Sequence, residues 1–193
     1  GARGVTAACI EEWARESRAR FVLLGRTPLL AEPACCAGVA DEAGLKKALL
    51  AEARSQGRSP APAELGARVH EVLSNREIRR TLAAIQSSGG EARYEAVSVE
   101  DAGALGSVLA RVRSEWGPVA GLVHAAGVLA DRKISEKTDE QFDRVFDTKV
   151  KGLLALLAAT SEDPLKLLCV FSSVSARCGN NGQADYAMAN EVL

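Results

Sequence analysis

The sequence contains no hydrophobic run of the roughly 18 residues that a membrane-spanning helix requires. Its N-terminus also lacks the charged and then apolar order of a signal peptide. The 24 basic and 25 acidic residues are spread along the chain and give a formal net charge of −1. No charge excess therefore favours nucleic acid or an anionic membrane, although a local anion site is compatible with this balance. We expect a soluble, cytoplasmic protein that binds neither partner.

The sequence also lacks the cysteine patterns of metal sites and disulfide frameworks. Its five cysteines are odd in number and show no CxxC or Cys/His spacing. We therefore expect reduced thiols that serve mainly in packing, and no bound metal.

Short apolar runs alternate with longer helical patterns along the 193 residues, a length that suits one α/β domain. The strand-like runs are FVLLG (21–25), ARYEAVSV (92–99), PVAGLVHAAG (118–127) and LKLLCVFSS (165–173). The helical patterns outside the longest connection run from Thr6 to Arg20, Asp101 to Trp116 and Thr138 to Thr160, the last opened by a TDEQ capping box. This alternation predicts a Rossmann-like, doubly wound parallel sheet, with a ligand crevice at the carboxyl ends of its strands.

The connection between the first two strands is unusually long. Residues 27–91 contain a segment rich in Pro, Gly and Ser, SQGRSPAPAELG, that separates helical patterns at about 41–55 and 63–88. We interpret this stretch as a helical insertion laid over one sheet edge, with a flexible excursion as the alternative.

Both ends of the sequence fall inside expected elements of the fold. GARGVTAA opens in the middle of what should be a glycine-rich turn, and the sequence stops one turn into the helix that begins near Tyr186. The pattern therefore predicts a partial domain, apparently truncated at both ends.

The first turn and the residue after the first strand carry features of a dinucleotide site. Gly1 and Gly4 precede a helix, where a phosphate can approach backbone N–H groups, although such a pair is often only a turn. Arg26 directly follows a strand, at the place where an arginine accommodates the 2′-phosphate of NADP. Arg3 is a second candidate cation. The alternative for both arginines is a solvated surface charge.

Small residues end the third strand-like run, in the sequence HAAG (124–127). They leave room for a flat ring or a ribose against the backbone, and tight packing of a helix on the sheet is an equally good explanation. His124 has no obvious partner ligand or nucleophile in the sequence, so we expect a structural or supporting histidine.

The segment FSSVSARCGNNGQADYAMAN (171–190) carries the most specific chemistry. Ser172 and Ser173 end a buried strand, and Tyr186 begins a helix 13 residues after Ser173. A serine and a tyrosine hydroxyl that converge on one carbonyl oxygen can orient a ketone and protonate the alkoxide formed by hydride transfer.

A tyrosine hydroxyl, with an ordinary pKa of about 10, needs a nearby cation to act at neutral pH. Many nicotinamide-linked reductases place a lysine four residues after the tyrosine, but this sequence has Asn190 there. FDTKVKG (146–152) supplies two other candidates, Lys149 and Lys151. Since they are roughly 200° apart around a helix, only one of them can point inward.

Together these motifs resemble the ketoreductase domains of polyketide and fatty acid synthases, a branch of the short-chain dehydrogenase/reductase family. In that branch the lysine and asparagine positions are exchanged, and the lysine precedes the serine by 24 residues. The resemblance implies a catalytic set of Ser173, Tyr186, Lys149 and Asn190. It also implies an NADPH site at Gly1, Arg3, Gly4, Val5, Arg26, Ser98, Val99, Ala125, Ala126 and Gly127.

Four segments look most like the ketoreductases of iterative polyunsaturated fatty acid synthases, with enediyne-type and myxobacterial synthases as close rivals. These segments are NREIRRTL, GVLADRKISEKT, TKVKGLLALL and DYAMANEVL. The implied reaction is NADPH-dependent reduction of a 3-ketoacyl thioester on an acyl carrier protein. The implied partners are that carrier and other synthase domains. A non-catalytic structural copy of the fold and a free-standing reductase for a small ketone are the alternatives.

The sequence departs from the family pattern at several positions. Thr6 stands where the glycine turn usually ends in Gly or Ala, and Ser98 replaces an Asp that often contacts adenine. The LDD element that marks one stereochemical class is Leu129-Ala130-Asp131 here, and Cys178 occupies the position of the Trp that marks the other. The resemblance implies a (3R)-hydroxyacyl product, with Asp131 guiding the pantetheine arm.

Overall fold

A computed structural model describes residues 1–193, which form helices and strands in alternation. The helices are α1 Gly4–Ser17, α2 Glu42–Ser55, α3 Pro62–Ser87, α4 Ala102–Trp116, α5 Asp139–Ala159, α6 Ser175–Cys178 and α7 Ala184–Val192. The strands are β1 Arg20–Gly25, β2 Glu91–Ala96, β3 Gly121–His124 and β4 Leu167–Val170. None of the helices combines the length and the apolar character needed to cross a membrane.

The strands pair as β1 with β2 and as β3 with β4. The second pair is parallel, with Gly121 opposite Leu167 and His124 opposite Val170. The predicted α/β fold with parallel strands is therefore confirmed.

Three of the four strands, β2, β3 and β4, are shorter than the apolar runs that predicted them. The run 118–127 contributes only Gly121–His124 to the sheet, and the run 165–173 contributes only Leu167–Val170. The residues that follow these two strands, 125–127 and 171–173, continue as loops, and these loops carry candidate site residues.

The chain divides into two compact units. An N-terminal unit contains Ala2–Phe21 and Arg26–Ala96, and a C-terminal unit contains Gly1, Val22–Gly25 and Val97–Leu193. The expected insertion at 27–91 belongs to the N-terminal unit together with α1.

Helices α2 and α3 form the core of the N-terminal unit. Leu45 and Leu49 of α2 pack with Leu65, Val69 and Val72 of α3, at the three- and four-residue spacings of an apolar helix face. The side chain of Asp41 caps α2 by accepting a hydrogen bond from Gly44 N at 2.8 Å. Helix α3 begins at Pro62, in a first turn where a missing N–H costs little.

The C-terminal unit packs α4 and α5 against strand residues. Its core contains Leu105 and Leu109 of α4, Leu122 of β3 and Leu156 of α5. Thr138 and Gln141 form the predicted capping box at the start of α5, each side chain accepting a backbone N–H of the other. This cap fixes where α5 begins and therefore which residues it turns inward.

One glycine of α5 permits close packing at the centre of this unit. A Cβ at Gly152 would lie 2.7 Å from Val99 Cγ2 and 3.4 Å from His124 Cε1. Gly106 of α4 offers a contrast, because a Cβ there would meet nothing within 4 Å.

We therefore expect opposite effects from the same substitution in two helices. Gly152→Ala should destabilise the unit by roughly 1–3 kcal/mol through overpacking. Gly106→Ala should stabilise its helix by roughly 0.5–1 kcal/mol, since alanine has the higher helix propensity. Local amide hydrogen exchange in α4 and α5 measures both effects, and equal changes at the two sites would contradict the packing at Gly152.

Candidate functional site

Tyr186 lies in the first turn of α7, and Asn190 follows one turn later. The Asn190 Nδ2 donates to the Tyr186 carbonyl oxygen at 2.7 Å, and the Ser172 hydroxyl donates to the Asn190 carbonyl oxygen at 2.9 Å. The loop that follows β4 is therefore bonded to the helix that carries Tyr186.

The two candidate lysines of α5 lie in different environments. The Lys149 residue is 3% exposed, whereas the Lys151 side chain is 68% exposed and pairs with Asp147 one turn earlier at 2.5 Å. Of the two, only Lys149 is turned into the C-terminal unit.

The ammonium of Lys149 lies beside Tyr186. Its Nζ is 5.6 Å from the centroid of the Tyr186 ring and donates to the Phe171 carbonyl oxygen at 2.9 Å. Burial lowers the pKa of Lys149 below the ordinary lysine value, because removing the ammonium from water penalises its charged form. A Cβ at Gly127 would lie 3.4 Å from Lys149 Cε, so the glycine keeps space for this side chain.

His124 supports the backbone of the same lysine. Its Nε2 lies 2.8 Å from the Lys149 carbonyl oxygen, which can only accept, so Nε2 carries the hydrogen. Burial lowers the pKa of His124, which favours a neutral ring and avoids a second positive charge near Lys149. The structure thus gives His124 a supporting position in the fold.

The two serines after β4 make different contacts. Ser173 Oγ accepts hydrogen bonds from the Ser175 hydroxyl at 2.9 Å and from Ser175 N at 3.2 Å. Ser172, as described, bonds to α7. Ser173 is half-buried and lies two residues after Phe171, the residue whose carbonyl holds Lys149.

Other candidate cofactor residues of the C-terminal unit lie at strand ends. Ala125, Ala126 and Gly127 directly follow β3, and Ser98 and Val99 follow β2. Ser98 Oγ accepts from Glu100 N at 3.3 Å, and the backbone nitrogen of Gly1 donates to the Leu24 carbonyl oxygen at 3.1 Å.

The remaining candidate cofactor residues belong to the N-terminal unit. Arg26 directly follows β1 and is exposed, and Val5 is 74% exposed on α1. Gly4 opens α1 with a φ of 60°, a left-handed conformation that favours glycine.

An anion already occupies the start of α1. The Glu77 carboxylate accepts a hydrogen bond from Gly4 N at 2.8 Å and another from Arg3 Nε at 2.9 Å. Burial raises the pKa of Glu77, but these two donors outweigh it and the net shift is downward, which favours the charged carboxylate. Donors of this kind at a helix start suit an anion, and a phosphate bound to them would displace Glu77.

Sequence reasoning missed a buried ion pair next to Tyr186. Lys137 Nζ lies 2.7 Å from Asp185 Oδ2, and the two side chains are 3% and 2% exposed. The predicted substrate residue Asp131 is nearby in this network, since its Oδ2 accepts from Gln183 Nε2 at 2.9 Å. Asp185 adjoins Tyr186 in sequence, but Lys137 lies 48 residues earlier in a loop, and no spacing pattern connects them.

Comparison with known proteins places this geometry in a family. The KR domain profile matches residues 1–193. A polyunsaturated fatty acid synthase chain of Thraustochytrium sp. is 41% identical over 201 residues, which cover 100% of this chain and 7% of that synthase chain. The polyketide synthase PksM of Bacillus subtilis is 35% identical over 116 residues, which cover 60% of this chain and 3% of that synthase. The chain thus spans a small part of these relatives.

Solved structures agree with the sequence comparison. A ketoreductase domain from the bacillaene assembly line superimposes with a TM-score of 0.70 at 29% identity, covering 98% of this chain and 35% of its own. An N-terminal ketoreductase from the macrolactin assembly line also gives 0.70, at 27% identity, covering 98% and 30%. The carveol dehydrogenase of Mycobacterium avium, solved with NAD, shares the fold at a TM-score of 0.68 and 18% identity, covering 98% and 58%.

The profile match over the whole chain, the related synthase sequences and the shared short-chain dehydrogenase fold lead to one assignment: the chain belongs to the KR domain family of ketoreductases.

Proposed function

We propose that this chain reduces a 3-ketoacyl thioester on an acyl carrier protein to the 3-hydroxyacyl thioester, with NADPH as the reductant. The observation that carries this proposal is the buried ammonium of Lys149 beside the Tyr186 ring. The similarity of the chain to synthase ketoreductases supports the proposal of a carrier-bound 3-ketoacyl thioester as substrate.

Tyr186 is the proposed proton donor. A nicotinamide dinucleotide held by the residues named below would supply the hydride for the carbonyl carbon of the substrate. As the electron pair of the C=O bond moves to oxygen, this oxygen takes the proton of the Tyr186 hydroxyl and becomes the alcohol. Ser173 is proposed to donate a hydrogen bond to the same oxygen and so orient the ketone.

Lys149 is proposed to stabilise the phenolate that remains on Tyr186. Its charge is effective because it is removed from water and held by the Phe171 carbonyl, so little reorganisation is needed when negative charge develops. Asn190 is proposed to position the Tyr186 turn and to help return a proton through water. Its buried Oδ1 has no hydrogen-bond partner and can accept one.

The cofactor residues are proposed to bind four parts of NADPH. Arg26 would bind the 2′-phosphate that distinguishes NADPH from NADH, while Gly1, Arg3, Gly4 and Val5 would serve the remaining phosphates. Ala125, Ala126 and Gly127, with Lys149, would hold the nicotinamide ribose. Ser98 and Val99 would line the adenine end.

The substrate arm is proposed to pass Asp131. The contact between Asp131 and Gln183 places this carboxylate next to the segment that leads into Tyr186. We propose that it guides the pantetheine arm and that the product is (3R), within a multidomain synthase that also supplies the carrier.

Replacement of Tyr186 tests the proton donor. Tyr186→Phe removes only the hydroxyl, so NADPH oxidation with a 3-ketoacyl thioester should fall by about 10²-fold to 10⁴-fold. NADPH binding, followed by its fluorescence, should stay unchanged. Normal turnover in this variant would contradict the mechanism.

The two lysines of α5 offer a matched pair of substitutions. Lys149→Met should lower kcat by about 100-fold or more, because it removes a desolvated charge that lies 5.6 Å from the centroid of the Tyr186 ring. Lys151→Met removes a lysine of the same helix that is exposed, and it should leave kcat within about twofold of the parent protein. Equal losses in both variants would contradict the assignment of Lys149.

The pH dependence provides a further check on Lys149. Because burial lowers the pKa of Lys149, its charge is lost as pH rises through a value below lysine's ordinary pKa of about 10.4. The alkaline fall of kcat in the parent protein should therefore include a component that Lys149→Met lacks. Identical alkaline limbs in the two proteins would count against this role.

Arg26 decides the proposed preference for NADPH. Arg26→Ser should raise the KM for NADPH roughly 10-fold to 100-fold, as expected from losing a charged hydrogen bond to phosphate. The KM for NADH, which lacks the 2′-phosphate, serves as the internal control and should change little. A similar change in the KM for both cofactors would show that Arg26 does not bind the 2′-phosphate.

A further inference from the structure

We propose that Lys137 and Asp185 form a positioning pair that holds Tyr186 and the loop 130–132 in the register required for ketone reduction. This inference rests on the proposed function and assigns a role to two residues outside the catalytic set. Neither is proposed to touch substrate or cofactor, so both act through the groups that they hold.

The pair is buried and makes short hydrogen bonds. Lys137 Nζ donates to Asp185 Oδ2 at 2.7 Å and to the Ala130 carbonyl oxygen at 2.6 Å. With the two side chains 3% and 2% exposed, water screens this attraction little. Removal of one partner would leave the other charge buried without compensation.

The carboxylate of Asp185 joins the pair to the catalytic helix. Its second oxygen, Oδ1, accepts a hydrogen bond from Tyr186 N at 2.9 Å. This N–H belongs to the first turn of α7, where helix N–H groups lack partners within the helix and where negative charge is favourable. Asp185 therefore fixes the backbone from which the Tyr186 side chain projects.

The ammonium of Lys137 joins the same pair to the loop that carries Asp131. Lys137 Nζ donates to the Ala130 carbonyl oxygen of this loop. The loop makes a second bond, in which Arg132 N donates to the Gly182 carbonyl oxygen at 2.9 Å. A Cβ at Gly182 would lie 3.4 Å from Arg132 N, so glycine allows the loop to approach this closely. Together with the contact between Gln183 and Asp131, these bonds dock residues 130–132 onto residues 182–185.

This arrangement links substrate guidance to proton delivery. If Asp131 guides the acyl arm and Tyr186 donates the proton, the relative position of the two groups decides which face of the ketone is reduced. Lys137 bonds both the loop, at Ala130, and the helix, at Asp185. Small misplacements of reacting groups are sufficient to reduce turnover about 100-fold.

The test uses Lys137→Met, Asp185→Asn and the double variant in the full-length protein. Arg177→Gln is the control, because it breaks an exposed ion pair that α7 makes through Glu191. Each protein is assayed for kcat and KM with a 3-ketoacyl thioester, for the chirality of the alcohol, and for hydrogen exchange in residues 130–132 and 182–188.

We expect each single variant to lower kcat roughly 10-fold to 100-fold while changing the KM for NADPH less than about twofold. The minor enantiomer should increase, and exchange should accelerate in both segments together. The double variant should lose no more activity than the worse single variant, because the pair acts as a unit. Arg177→Gln should resemble the parent protein in every readout.

Unchanged kcat and chirality in both single variants, despite faster exchange, would reduce the pair to a purely structural role and overturn the proposal. If a single variant fails to fold, the double variant provides the test, since it leaves no unpaired charge. A double variant with the parental kcat and product chirality would also overturn the proposal. A parent protein that reduces no 3-ketoacyl thioester would refute the proposed function instead. Exchange that accelerates in one segment alone would still refute the link between loop and helix.

Discussion

The desolvated charge of Lys149 is the constraint on which the candidate site depends. An ammonium buried to this degree is stable only where fixed dipoles replace water, and here the Phe171 carbonyl and the face of the Tyr186 ring do so. Three packing features of α5 serve the same end. Its capping box sets the start of the helix, Gly152 permits close approach, and His124 bonds the Lys149 carbonyl.

Exchange of the lysine and asparagine positions changes how the site is assembled. With Lys149 on α5, the cation lies over the Tyr186 ring from a different helix, so the proposed chemistry depends on the register between α5 and α7. Asn190 Nδ2 donates to the Tyr186 carbonyl oxygen at 2.7 Å, and the Asn190 carbonyl oxygen accepts a hydrogen bond from the Ser172 hydroxyl. The proposed Lys137–Asp185 pair also attaches α7 to the loop that carries Lys137.

Local patterns in the sequence predicted most of the fold. The TDEQ motif located α5, and apolar spacing located α2 and α3 within the long connection, because these signals depend on neighbouring residues. The ends of β2, β3 and β4 were predicted too late in the sequence, since apolar character continues after pairing stops. Residue spacing alone left Lys149 and Lys151 equivalent, and only the resemblance separated them. Contacts between distant segments, such as Glu77 with Gly4 and Lys137 with Asp185, left no pattern to detect.

We propose that NADPH reduces a carrier-bound ketone while a tyrosine supplies the proton and a buried lysine from another helix stabilises the phenolate. The most direct measurement is NADPH consumption by the full-length protein with a 3-ketoacyl acyl carrier protein, combined with chiral analysis of the product. The account predicts one NADPH oxidised for each (3R)-hydroxyacyl group formed. Binding of NADPH without any oxidation in the presence of this substrate would contradict it.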